Sequence, residues 1–95
     1  MKVEGTVLLA GLSGEFAEKA SHQLLVAGAS VLMARDEEAA LRYLMTSMPR
    51  AMIVSSHLNS TEVRRVARAR GVHVLESGPE FNPDLVTHAI QLCWS

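Results

Sequence analysis

Ser55, Ser56 and His57 end the run Arg50-Ala51-Met52-Ile53-Val54, which reads as a buried strand that stops at two hydroxyls and an imidazole. Hydroxyl and imidazole are the nucleophile and base of acyl transfer, and open α/β sheets gather their chemistry at the carboxyl ends of strands. Two facts weigh against a hydrolytic centre here. Adjacent strand residues point to opposite faces, so Ser56 and His57 do not converge, and no acidic side chain stands close in sequence to orient a base. Small polar groups also suit a hydrophobic strand at the point where its backbone meets water. No catalytic residue is expected; anion binding and modification of a serine by a kinase remain open.

The stretch Ala10-Gly11-Leu12-Ser13-Gly14-Glu15 gives a glycine turn and a helix start, where backbone N–H groups can receive an anion. It lacks the G-K-[ST] ending of a phosphate-binding loop and is not G-x-G-x-x-G, and Glu15 would repel a phosphate. Capping is the favoured use. Arg64, Arg65, Arg68 and Arg70 cluster on one predicted helix, with Arg64 and Arg68 a turn apart and Glu62 spaced to pair with Arg65. No aromatic residues interleave them, so a solvated helix face or a docking surface for an acidic partner is favoured over nucleic acid. The histidines at 22, 57, 73 and 88 form no metal spacing with Cys93, and neither metal nor cofactor is expected. Trp94 is a candidate interface residue.

Ninety-five residues suit one domain with one core. A hydrophobic content of 48% with 20% charged residues is that of an ordinary globular chain. Nine basic and ten acidic residues leave a formal charge of -1, with no global pull toward nucleic acid or acidic lipid. A single cysteine excludes an internal disulfide, no signal-peptide pattern opens the chain, and the apolar runs fall far below the roughly 20 residues that span a bilayer. A cytoplasmic setting without membrane contact is the expectation.

Thr6–Ala10, Ser30–Ala34, Ala51–Val54 and Val72–Leu75 are continuous apolar runs, the pattern of strands buried on both faces. Helical spacing fills the gaps. Phe16, Ala20, Leu24 and Ala27 follow a cap at Ser13. Ala40, Leu41, Leu44, Met45 and Met48 follow Asp36 and stop before Pro49. Val63, Val66 and Ala67 follow Asn59 or Ser60 and end at Gly71. Asn82-Pro83-Asp84 opens a last helix carrying Leu85, Val86, Ala89, Ile90 and Cys93. Methionines 33, 45, 48 and 52 are expected as core filler. The alternation predicts a three-layer α/β/α domain over residues 1–95 with a parallel sheet and right-handed crossovers.

The run "GASVLMARDEEAALRYLMTSMPRAMIVSS" resembles the second strand, second helix and third strand of the receiver domain of two-component response regulators, a flavodoxin-like fold. "RGVHVLESGPEFNPDLVTHAI" is similar to that family's last strand and helix. With the first strand and helix, the resemblance covers nearly the whole chain. It implies a four-stranded sheet in the order 2-1-3-4, one β-α unit having been lost.

Receivers accept a phosphoryl group on an aspartate ending the third strand, beside an acidic pair that holds Mg²⁺ and a lysine ahead of a proline. The resemblance puts Ser55 at the acceptor position, Gly11 and Leu12 near the acidic pair, and Gly78 at the lysine. Without carboxylates there are no hard oxygen ligands for Mg²⁺. What it implies is a degenerate, non-phosphorylatable signalling module, not an enzyme. Such a module acts through a protein partner or as a homodimer, docking by Arg64, Arg68, Val72, Val74 and Trp94. The loss of a β-α unit leaves the last strand as an edge without proline or lysine to blunt it. The rival reading is a small-molecule or phosphate-binding domain with a cleft of Ser13, Gly14, Ser56, His57 and Gly78 around Ser55.

Overall fold

A computed structural model describes residues 5–12, 14–56, 58 and 60–77. The elements alternate as β1 (Thr6–Ala10), α1 (Gly14–Val26), β2 (Ser30–Ala34), α2 (Glu37–Thr46), β3 (Ala51–Ser55), α3 (Thr61–Ala69) and β4 (His73–Ser77). The strands form one parallel sheet in the order β2-β1-β3-β4, as expected. The helix expected from Asn82, and Trp94 beyond it, lie outside the described residues.

Side chains alternate across β1 and thereby assign each helix a face. Val7 and Leu9 join Ala51 and Ile53 of β3 beneath Ala20 and Leu24 of α1. Leu8 and Ala10 face the other way, with Met52 and Val54, against Ala40 and Leu44 of α2 and Val63 and Ala67 of α3. Every residue of β3 is buried, which explains an apolar run with no polar alternation. Alanine at positions 20, 40 and 67 lets the helix backbones approach the sheet closely.

Local chemistry sets the helix limits. Asp36 caps α2 by accepting from the Ala39 N–H at 2.9 Å, and Ser60 caps α3 by accepting from the Val63 N–H at 3.2 Å. Of the two residues proposed to cap α3, the hydroxyl at 60 is the one used. At the far end Gly71, at φ 78°, donates its N–H to the Arg68 carbonyl, and Val72 donates to Ala67, the paired bonds of a Schellman cap.

That cap displaces the fourth strand from its predicted span. The Val72 N–H is spent on the helix, so pairing starts at His73, whose N–H reaches the Arg50 carbonyl at 3.0 Å, and runs on to Ser77. Val72 is buried on the α3 side of the core. The methionines also divide: Met52 is fully buried, whereas Met33, Met45 and Met48 are exposed. The buried stripe of α2 is only Ala40 and Leu44, because a ten-residue helix lying across two short strands covers a narrow strip of sheet.

Truncating Ile53 or Leu44 to alanine removes fully buried atoms, and each should destabilise by about 2–5 kcal/mol in urea unfolding. Met45→Ala, on the exposed side of α2, should stay within about 0.5 kcal/mol of the parent.

Candidate functional site: the carboxyl ends of β1 and β3

The chain leaves β1 for β2 on one side of the sheet and reaches β3 on the other, which makes the carboxyl ends of β1 and β3 the topological switch point. A crevice at this place is where such sheets hold ligands. Gly11 follows β1 with φ 75° and donates its N–H to the Ala34 carbonyl at 2.9 Å. A Cβ placed on Gly11 would lie 2.9 Å from Leu58 Cβ and 3.4 Å from Ser55 Cβ. The end of β1 therefore touches the turn that follows β3.

The turn arises from one backbone bond, the Leu58 N–H donating to the Ser55 carbonyl at 3.0 Å. It folds Leu58 back over the strand end, against Gly11. Ser55, the position at which the resemblance puts an acceptor, is only 5% exposed, while Ser56 is exposed. Where a phosphoryl pocket would open, an aliphatic side chain and a buried serine meet a glycine. Leu58 was not among the residues singled out from sequence. Its signal was present, since it is the one apolar side chain between Val54 and Val63.

Of the cleft residues expected from sequence, Gly14 begins α1 and is exposed, and Ser13, His57 and Gly78 lie outside the described residues. Gly11, Ser55 and Leu58 are the residues this end of the sheet brings together. Among the described residues no group of three or more histidine, cysteine or acidic side chains is placed to hold a metal ion.

Beside this end of the sheet stands Arg64, a part-buried charge whose guanidinium makes four hydrogen bonds within the chain. Arg64 Nε and Nη2 donate to Glu76 Oε2 and Oε1 at 2.7 and 2.8 Å. Its Nη1 donates to the carbonyls of Leu58 and Ser60, both at 2.9 Å. One planar guanidinium thus ties α3, the β3–α3 loop and the end of β4, a task that suits the fixed fork of arginine and not the point charge of lysine. The hydrogen bonds from Arg64 hold the Glu76 carboxyl below the usual carboxylate range against the opposing effect of burial, and the nearby charges of Arg64 and Arg68 add to it. The same contact raises Arg64 above its ordinary value. Arg65 pairs with Glu62 on the outer face, as the spacing implied.

The expected docking residues are therefore not alike. Arg68 is exposed near Glu76, Arg64 is committed to bonds within the chain, Val72 is buried, and Val74 is half-buried on β4. Trp94 lies outside the described residues. Glu76 escaped the sequence reading, although it shares the parity of Val74 and must face the same helix.

No helix among the described residues is long and apolar enough to cross a membrane. No family model matches the chain, and no curated protein matches it.

Two measurements check this geometry. Gly11→Ala should cost about 2 kcal/mol or more, combining a strained positive φ with a contact that the Leu58 backbone-borne Cβ cannot yield. Gly14→Ala, with no atom within 4 Å of the new methyl, should cost less in the same denaturant titration. Arg64→Ala should destabilise by about 1–2 kcal/mol, a figure kept low because Glu76 is 48% exposed and water screens the pair. Because the folded-state pKa of Glu76 is depressed, its contribution is complete above the unfolded carboxylate value near 4.3 and is lost as pH falls through the lower folded value. The stability gap between parent and Arg64→Ala should accordingly narrow in acid below about pH 4, and persist at neutral pH.

Proposed function

We propose that this chain is a degenerate receiver-like module that works by protein contacts and self-association, not by phosphotransfer, in a cytoplasmic signalling setting. The observation that carries this reading is the close approach of Leu58 to Gly11 and the buried Ser55 at the switch point, with no carboxylate beside them. The parallel sheet in the order β2-β1-β3-β4 supports the receiver-like part, and Ser55 ends β3, the strand to whose end the resemblance assigns the acceptor aspartate. Phosphoryl transfer depends on anchored cations and a positioned acceptor. Gly11, Leu12 and Ser55 supply no carboxylate to anchor a cation, and Ser55 is buried besides.

A protein that has lost this chemistry keeps a rigid sheet whose surfaces can be read by a partner. Arg68 and the outer edges of the sheet are two such features.

Incubation with an acyl phosphate and Mg²⁺ should leave the intact mass of the chain unchanged and produce no thermal shift, since a ligand that binds only the folded state must stabilise it. Ser55→Asp should also stay unlabelled, because no carboxylate at Gly11 or Leu12 anchors a cation beside it and Leu58 still packs close to Gly11. A labelled Ser55→Asp protein, or a saturable shift with phosphate, would overturn the reading in favour of a phosphate-binding domain.

A further inference from the structure

Parallel strands turn the backbone groups of alternate residues toward each neighbour. Ser30 donates its N–H to the Gly5 carbonyl at 2.9 Å, and the Ala34 carbonyl accepts from the Gly11 N–H at 2.9 Å. Ser30, Leu32 and Ala34 therefore turn their backbone groups toward β1, and Val31 and Met33 present theirs outward along the edge of the sheet. Edge strands are ordinarily protected by lysine, proline, an inward charge or a bulge. β2, with the sequence Ser-Val-Leu-Met-Ala, carries none of these, pairs with β1 residue for residue, and leaves Met33 47% exposed.

We infer that two copies of this chain join through the outer edges of β2, antiparallel, to make one continuous eight-stranded sheet. This rests on the reading of the module as one that works by protein contacts, and it names the partner as a second copy. The phase of the edge selects the register. With Leu32 on the two-fold axis, Val31 of each copy lies opposite Met33 of the other, and both residues offer outward N–H and C=O groups. The two Val31–Met33 pairs then close four hydrogen bonds, and the interface is isologous. Val31 and Met33 stand on one side of the sheet, so each outward pair also sets an exposed methionine against a valine. No charge lies anywhere between Ser30 and Ala34, so the strand meets its own copy without repulsion.

The opposite edge lacks this self-complementarity. The His73 N–H points to β3, so Val74 and Glu76 present their backbone groups outward. Pairing β4 with itself in the equivalent register would bring a carboxylate from each copy into the joint, and Glu76 is already held by Arg64. The neutral edge is the one that suits a second copy.

Sedimentation and light scattering of the full chain over a concentration series should show a monomer–dimer equilibrium. Met33→Pro removes an N–H that the monomer does not use, and with it two of the four intermolecular bonds. It should weaken the dimer at least about tenfold. Met33→Lys adds a charge to the edge and should do the same, with far-ultraviolet circular dichroism confirming that both variants stay folded. Hydrogen exchange should find the Val31 and Met33 amides protected at high protein concentration and open at low. A chain that stays monomeric throughout would overturn the inference, and so would a dimer unaffected by either Met33 variant. If Val74→Lys dissociates that second dimer, association through β4 survives and the contact reading stands. The acyl phosphate experiment tests the loss of phosphotransfer independently of all these outcomes.

Discussion

Apart from Thr6 at its start, the two inner strands of the sheet are buried on both faces, and this one constraint propagates through the molecule. β1 and β3 must pair their backbone groups with neighbouring strands and carry side chains that need no solvent, which their apolar runs do. Alternation then sends Val7, Leu9 and Ile53 to one helix and Leu8, Met52 and Val54 to two others, so a single pair of strands divides the core. The helices need only narrow stripes to complete it. The exposed methionines of α2 and β2 follow from that economy.

At the carboxyl ends of the same strands the constraint relaxes, and what happens there decides the chemistry available. A ligand site at this position needs the strand ends to stand apart. Here the turn after β3 brings Leu58 onto Gly11, so the hydrophobic interior continues to the end of the sheet. Ser55 belongs to the core more than to the surface. Arg64 then satisfies the Leu58 and Ser60 carbonyls and ties them to Glu76 of β4.

Much of this is legible in the residue pattern alone. β1 and β2 match their predicted runs residue for residue, because a short apolar stretch between a glycine and a cap has few other folds open to it. Asp36 announced α2 by its type and by the two glutamates after it. β4 was displaced because the reading gave Val72 to the strand, when the helix exit at Gly71 claims its N–H. The docking surface was the least legible part. Four arginines on one helix look equivalent as letters, yet Arg64 differs from Arg68 only because α3 lies over the end of β4, a relation that links residues twelve positions apart.

By itself, the sequence determined the class of fold, the alternation of strands and helices, the neutrality of the second strand and the lack of carboxylates at the strand ends. All of these are properties of residue type and local spacing, which the chain carries whether folded or not. The tertiary structure decided which charges are spent and which are offered, that Leu58 packs against Gly11 at the end of the sheet, and which backbone groups of β2 point outward. Those depend on the phase of one element against another. Hydrogen-bond parity across a sheet and the reach of a side chain from helix to strand exist only after distant segments have packed together.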